Sequence, residues 1–406
     1  MSAAPEDPEA PARAGAAPAG ADPAGLDGVD ESRLESAAAT EAADPGGMLR
    51  QVASSAAQIR EARMLATEAG IERIADEGRP RAVVVTGMGG SGISGDVLAA
   101  VCGPGCPVPV LTVRGHRLPG WVGAADLVIA VSCSGGTEET LAVAAEAARR
   151  GCRLLLVGGA ESPLSRLGEQ TRGLFVPVRS VGQPRATLWG LTVPLLMAAR
   201  ALRLADVPDE VLESTAVRLE DVAHRCRPAS EPFVNPAKRV ALDLLGDVPM
   251  VWGSSPLAGV AAYRMCCQLN ENAKYPGVFG ELPEAGHNQV VAFDGYFGRS
   301  GGGAGDPDDF FRDRTGDAEH GLHLVMMRDT DEHPQVARRR EVSAELAAAR
   351  GVPVTEIRAE GDHPLERMAT LVAVADYVTV YLAIALGVDP TPVTTIQELK
   401  ARIADV

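Results

Sequence analysis

RAVVVTGMGGSGISG (residues 81–95) runs from a β-branched stretch straight into glycines and serines. Three consecutive valines read as a strand buried on both faces, and glycines directly after a strand allow positive φ and close backbone approach. A helix opening at Gly90-Ser91 adds unpaired N–H groups and a positive dipole end. Together these features hold an anion. Gly87, Gly89 and Gly92 also spell G-x-G-x-x-G, the dinucleotide fingerprint. That motif calls for a carboxylate about 20 residues further on to hold the ribose. The next strand ends Val113-Arg114-Gly115 without one, so only an NADP reading through Arg114 stays open.

A second loop repeats the plan. DLVIAVS (126–132) leads into Ser132-Cys133-Ser134-Gly135-Gly136-Thr137, which opens another helix. Hydroxyls and N–H groups from two adjacent strand ends surround a phosphate monoester, and strand C-termini are where open α/β sheets bind ligands. Gly90, Ser91, Ser132, Ser134 and Thr137 are therefore the expected phosphate ligands. The plain alternative is a pair of tight strand-to-helix turns.

The same alternation continues on both sides of these loops. PVPVLTV (107–113), RLLLVGG (153–159) and LFVPV (174–178) are further strands, with helical stretches at 93–101, 137–150, 161–169 and 186–204. A long helical pattern, 48–77, precedes them. The pattern resumes with VPMVWG (248–253), LHLVMMR (322–328) and PVTEIRA (353–359), and with helices near 259–273, 333–350, 363–386 and 394–405. Continuous apolar strands between helices predict α/β architecture: two doubly wound parallel sheets.

A length of 406 residues accommodates two such domains. We divide the chain into an Ala/Pro/Gly tail over 1–25, expected to be disordered, a first domain over 26–204 and a second over 205–406. The second carries a Gly/Asp-rich insertion at 298–319, expected to be flexible. A net charge of −16 argues against nucleic-acid and anionic-membrane partners. Seven scattered cysteines read as reduced thiols and predict a cytoplasmic protein. Cys102 and Cys106 lack a second Cys/His pair, so no metal site is expected. No apolar run of about 18 residues and no signal peptide are apparent.

GMGGSGISGD (87–96) together with SCSGGTEET (132–140) resembles the sugar isomerase (SIS) domain. QLNENAK (268–274), followed by ELPEAGHN (281–288), resembles more narrowly the bifunctional phosphoglucose/phosphomannose isomerases. This likeness covers residues 30–406 apart from the insertion. It implies two SIS-type αβα sandwich domains and metal-free, cofactor-free aldose–ketose isomerisation of a hexose 6-phosphate. The resemblance makes Glu271 the base that carries a proton between C2 and C1, a task suited to a carboxylate whose pKa is raised by burial. On its residues alone, Glu271 also reads as a solvated helix position paired with Lys274 at i, i+3. His287 matches the family's ring-opening acid/base, supplied to the partner subunit's site in a homodimer. Arg185, in Gly182-Gln183-Pro184-Arg185, would steady the enediolate, or else cap a helix or form a salt bridge. Lys400 matches a family lysine, and a threonine within 391–395 also reaches the family's site. Relatives carry Ser-Tyr-Ser-Gly-Asn-Thr where this chain has Ser-Cys-Ser-Gly-Gly-Thr. The Ser and Thr hydroxyls are kept, and the missing Tyr and Asn side chains are expected to alter the pocket floor or sugar discrimination. A non-catalytic sugar-phosphate sensor would need the serine loops but neither Glu271 nor His287.

Overall fold

The computed structural model describes residues 29–180, 182–298 and 320–404. The 1–25 tail, and the 298–319 insertion except Gly298, lie outside the described residues.

The first sheet contains β1 (Val83–Thr86), β2 (Val110–Val113), β3 (Leu127–Ser132), β4 (Arg153–Gly158) and β5 (Leu174–Pro177), in the order β2-β1-β3-β4-β5. The second contains β6 (Val248–Gly253), β7 (Val278–Glu281), β8 (Leu322–Arg328) and β9 (Val354–Arg358), in the order β7-β6-β8-β9. Every pairing is parallel. The order of the first sheet puts its topological switch point between β1 and β3, and the quoted loops follow those two strands.

Helices cover both faces, which explains the continuous apolar strands. They are α1 (Ala37–Ala42), α2 (Met48–Ala53), α3 (Ser55–Glu68), α4 (Gly90–Cys102), α5 (Glu138–Arg149), α6 (Pro163–Thr171) and α7 (Leu188–Ala201). The second half adds α8 (Asp209–Arg225), α9 (Pro236–Asp243), α10 (Pro256–Gln268), α11 (Pro334–Ala349), α12 (Pro364–Ala385) and α13 (Thr394–Ala404). Side chains alternate along each strand. Leu127, Ile129 and Val131 of β3 therefore face the central core with α3, α4 and α7, while Val128 and Ala130 face α5 and α6. In β8, Val325 and Met327 face α10 and α12, while Leu324 and Met326 face a smaller cluster that includes Ala347 of α11. The central core is continuous between the two sheets, drawing on Ile59, Leu195, Leu219, Met265 and Tyr381 alike.

Three local features depart from the sequence expectations. The 48–77 pattern breaks into α2, α3 and a 3-10 turn at Ile71–Ala75. Ser54 and Ser55 hydroxyls donate back to the Gln51 and Val52 carbonyls at 2.7 Å each, competing with the helix ladder, and Gly70 at φ +74° ends α3. Strand β7 has no apolar run to announce it, because it is an edge strand with Val278 and Phe279 exposed. Its Gly280 packs under Trp252, where a Cβ would lie 2.6 Å from the indole Cδ1. Finally, α12 is long and apolar enough to cross a membrane, with a mean hydropathy of 1.8, although Glu366, Arg367 and Asp376 interrupt the run. That apolar stretch is wholly buried in the fold, as expected of a central core helix.

Candidate active site

The loop Gly87–Gly95, the candidate phosphate loop, is built around glycines whose backbone leaves no room for a Cβ or is costly with one. Gly89 holds φ +53° with ψ −130°, a conformation costly to residues with a Cβ. A Cβ on Gly87 would lie 2.8 Å from the backbone carbon of Ser91, so this close turn requires hydrogen there. Helix α4 starts at Gly90, and its first turn closes on the loop, with Ser91 N donating to the Met88 carbonyl at 3.1 Å and Ile93 N to the Gly89 carbonyl at 3.0 Å.

The two loops meet. Cys133 N donates to Ser91 Oγ at 3.3 Å. Ser132 Oγ lies 2.9 Å from Thr137 Oγ1 and accepts from Thr137 N at 3.4 Å, while Ser134 Oγ accepts from Gly136 N at 3.2 Å. Gly135, at φ +67°, lets this turn pass against Ser162. The structure thus brings Gly90, Ser91, Ser132, Ser134 and Thr137 to one end of the first sheet. Arg114 stands beside them. It pairs with Asp96, lies over the Tyr263 ring at 5.7 Å, and would meet a Cβ on Gly92 at 3.0 Å. A cleft of about 580 Å³ opens between α4 and α10 there, lined by Arg114, Tyr263, Phe279 and Glu281.

Arg185 sits on a 3-10 turn, Pro184–Ala186, and its Cα lies 3.7 Å from where a Gly90 Cβ would be. The side chain is buried, 3% exposed. Its Nε donates to Asn272 Oδ1 at 2.7 Å, Nη1 to Gln183 Oε1 at 3.1 Å, and Nη2 to the carbonyls of Pro390 at 2.7 Å and Thr391 at 2.8 Å. All four acceptors are neutral. Burial lowers the guanidinium pKa, and the Glu271 carboxylate opposes that shift. Neither capping nor a contact salt bridge accounts for this arginine.

Helix α10 does not stop at Gln268 but widens into a π turn over Leu269–Ala273 that carries Glu271. Such turns are uncommon and recur at functional sites. Burial raises the Glu271 pKa, opposed by the charges of Arg185, Arg264, Lys274 and Lys400. The i, i+3 reading of Lys274 does not hold. Its Nζ donates to the backbone carbonyls of Glu271, Asn272 and Asp389 at 3.1, 3.2 and 2.8 Å. Lys400 is exposed on α13 and reaches the site through its charge on Glu271. Among the threonines of 391–395, Thr391 contributes its carbonyl to Arg185, and its hydroxyl is buried against Gly46.

His287 lies elsewhere in the chain. It ends the 3-10 turn Glu284–His287 beyond the carboxyl end of β7, is exposed, and is carried by a turn anchored through Leu282 and Ala285. Glu271 precedes the amino end of the same strand and sits over the opposite face of the sheet. One chain therefore does not bring these two residues together.

Asn272, Lys274 and Arg264 escape sequence reasoning as site residues, whereas Thr391 falls in the 391–395 stretch where a threonine is expected and contributes its carbonyl. Asn272 and Lys274 follow Glu271 in the NENAK motif, which was the available signal. Nothing local marks Arg264, whose partners are far away in sequence.

Paired hydroxyl loops at a switch point, a buried arginine packed on the first turn of α4 and a half-buried carboxylate acting on that arginine define a two-domain protein of the sugar isomerase class. The model of the bacterial phospho-glucose isomerase C-terminal SIS domain matches residues 233–403. The bifunctional phosphoglucose/phosphomannose isomerase of Caldicellulosiruptor bescii is 33% identical over 80% of this chain and 90% of its own. The one of Aquifex aeolicus is 30% identical over the same shares. A hypothetical protein of Thermus thermophilus shares the fold with a TM-score of 0.62 at 18% identity, over 92% of this chain and 93% of its own. The chain belongs to the bifunctional phosphoglucose/phosphomannose isomerase family.

Proposed function

We propose that this protein interconverts glucose 6-phosphate and mannose 6-phosphate with fructose 6-phosphate. The observation that carries the reading is the placement of Glu271. A half-buried carboxylate with a raised pKa stands beside Arg185, whose backbone packs on the first turn of the phosphate-loop helix. A sensor built on the same fold would need the hydroxyl loops alone.

The first domain binds the 6-phosphate through Gly90, Ser91, Ser132, Ser134 and Thr137. Glu271 in the second takes the proton from C2 of the open aldose, which leaves an enediolate, and returns it to C1 while the hydroxyl proton of O2 passes to O1, giving the ketose. An uncommitted Arg185 N–H stabilises the oxyanion, with Lys400 adding positive charge. No metal or cofactor takes part in these steps.

His287 serves ring opening in the site of a second copy, because its own Glu271 lies at the other end of β7. The exposed apolar residues fit such a homodimer. Ile396, Leu399 and Ile403 line one face of α13 at 41%, 58% and 61% exposure, and Val291 and Tyr296 lie close after the His287 turn at 64% and 83%. The free cysteines suit a reducing cytoplasm.

Fructose 6-phosphate formation from each aldose phosphate, with wild type and Glu271→Gln side by side, tests the reading. Activity on either aldose that depends on Glu271 supports it. Absence of turnover in wild type, or an undiminished Glu271→Gln, ends it.

A further inference from the structure

Behind Glu271 and Arg185 runs a closed circuit of buried hydrogen bonds. Asp376 on α12 accepts from Arg264 Nε at 2.8 Å and Nη2 at 2.7 Å. The same Nη2 donates to the Arg185 carbonyl at 2.9 Å. Arg185 Nε donates to Asn272 Oδ1 at 2.7 Å, and Asn272 Nδ2 donates to Thr379 Oγ1 at 3.0 Å. Thr379 Oγ1 donates to the Asp376 carbonyl at 2.9 Å, which closes the ring. All five residues are buried, and they come from the loop after the first sheet, from α10 with its π turn, and from α12. Arg264 is 1% exposed, and its Nη1 has no hydrogen-bond partner among the described residues.

Stability is a poor reason for this arrangement. Desolvating two charges offsets most of their attraction, and well-packed apolar side chains in their place are often neutral or better. What the circuit does achieve is registry. Asn272 adjoins Glu271 and grips the Arg185 side chain, while Arg264 grips the Arg185 backbone. We propose that Arg264 is a positioning residue for the isomerase reaction, holding Arg185 against Glu271 across the boundary between the two sheets. This inference rests on the roles given above to Glu271 and Arg185.

Arg264 is also one of four cations acting on Glu271, with Arg185, Lys274 and Lys400. Glu271 in turn bears on Cys267 of its own helix, and Asp389 acts on Arg185 and Lys274 from the α12–α13 connection. Removing Arg264 takes away a charge that favours the carboxylate. The Glu271 pKa then rises, and the acid limb of kcat/KM moves to higher pH.

The test is the double variant Arg264→Met/Asp376→Leu, which removes both buried charges and leaves neither orphaned. The expected result is a folded protein whose melting temperature stays near that of wild type. Its kcat falls about 10- to 100-fold, in keeping with a misplacement of about 1 Å at the reacting centre. The KM for glucose 6-phosphate changes less than about threefold, because the phosphate loops are untouched. The acid limb moves up in Arg264→Met alone and less in the double variant, which also removes the opposing Asp376 charge. Arg264→Lys keeps the charge without the fork, so kcat stays low while the acid limb returns toward wild type. Wild-type kcat in the double variant overturns the proposal. Should that variant not fold, wild-type kcat in Arg264→Lys overturns it equally. Glu271→Gln assayed alongside separates the two failures: if it stays active, the base assignment has failed, and if it is dead while the Arg264 variants match wild type, only the positioning role has.

Discussion

Replacing Arg185 by methionine keeps most of the side-chain bulk and removes the guanidinium fork. A guanidinium has five N–H donors. Four are directed at Asn272 Oδ1, Gln183 Oε1 and the carbonyls of Pro390 and Thr391, which leaves one on Nη1 for an oxyanion. Two of the abandoned acceptors, on Asn272 and Pro390, belong to buried residues and lose their donor at about 1–3 kcal/mol each. Against that stands relief from burying a cation among neutral acceptors, the cause of its lowered pKa. The net expectation is a destabilisation of about 1–3 kcal/mol, which leaves the protein folded. Loss of an oxyanion donor costs about 10²- to 10³-fold in kcat, or about 2.7–4 kcal/mol. The assay couples glucose 6-phosphate formation from fructose 6-phosphate to a dehydrogenase, with folding checked by circular dichroism and denaturant unfolding. Arg185→Lys should recover less than about tenfold of the loss, since an ammonium cannot span four divergent acceptors. A folded Arg185→Met with kcat within about threefold of wild type would refute the reasoning, because Arg185 would then be structural only.

Glu271→Gln is expected to lower kcat by about 10²- to 10⁴-fold, as for loss of a general base. It should also raise the melting temperature at neutral pH and above. Burial holds the native carboxyl above the ordinary glutamate range, so the unfolded chain binds fewer protons in that window and stability falls as pH rises through it. The glutamine variant lacks that loss, and the two curves should converge below the unfolded pKa; a lower melting temperature for Glu271→Gln throughout contradicts this. Mixing and refolding equal amounts of Glu271→Gln and His287→Asn, each inactive alone, should restore about a quarter of wild-type activity, since half the dimers are mixed and each has one intact site. No recovery in a mixture that demonstrably exchanges subunits rules out donation across the interface. Gly87→Ala should cost about 1–3 kcal/mol and raise KM for either sugar phosphate, because its Cβ displaces the first turn of α4; unchanged KM with unchanged denaturant midpoint speaks against the tight-turn account.

The strands of both sheets, except β7, and the two Gly/Ser loops that follow β1 and β3 were legible because their determinants are contiguous. A strand buried on both faces must be apolar at every position, as β3 is, and the loop glycines and hydroxyls follow directly from strand to helix. β7 was not legible, since an edge strand with Val278 and Phe279 exposed needs no apolar run, and Gly280 is set by Trp252 on the neighbouring strand. The NENAK motif marked Glu271 as a candidate by resemblance, and its local pattern suggested an ion pair with Lys274. The fold sends that lysine to three backbone carbonyls instead.

The sequence alone determined the α/β class, and it named the candidate anion loops and, by resemblance, the candidate base. Only the tertiary structure decided that Arg185 and Glu271 act on each other, and that His287 lies beyond the far end of β7. The reason is separation along the chain. Arg185 meets Asn272 from 87 positions away, and Arg264 meets Asp376 from 112. Periodicity and turn chemistry report on neighbours within a few residues, whereas these buried polar partners find each other only once the two sheets have packed around α10 and α12.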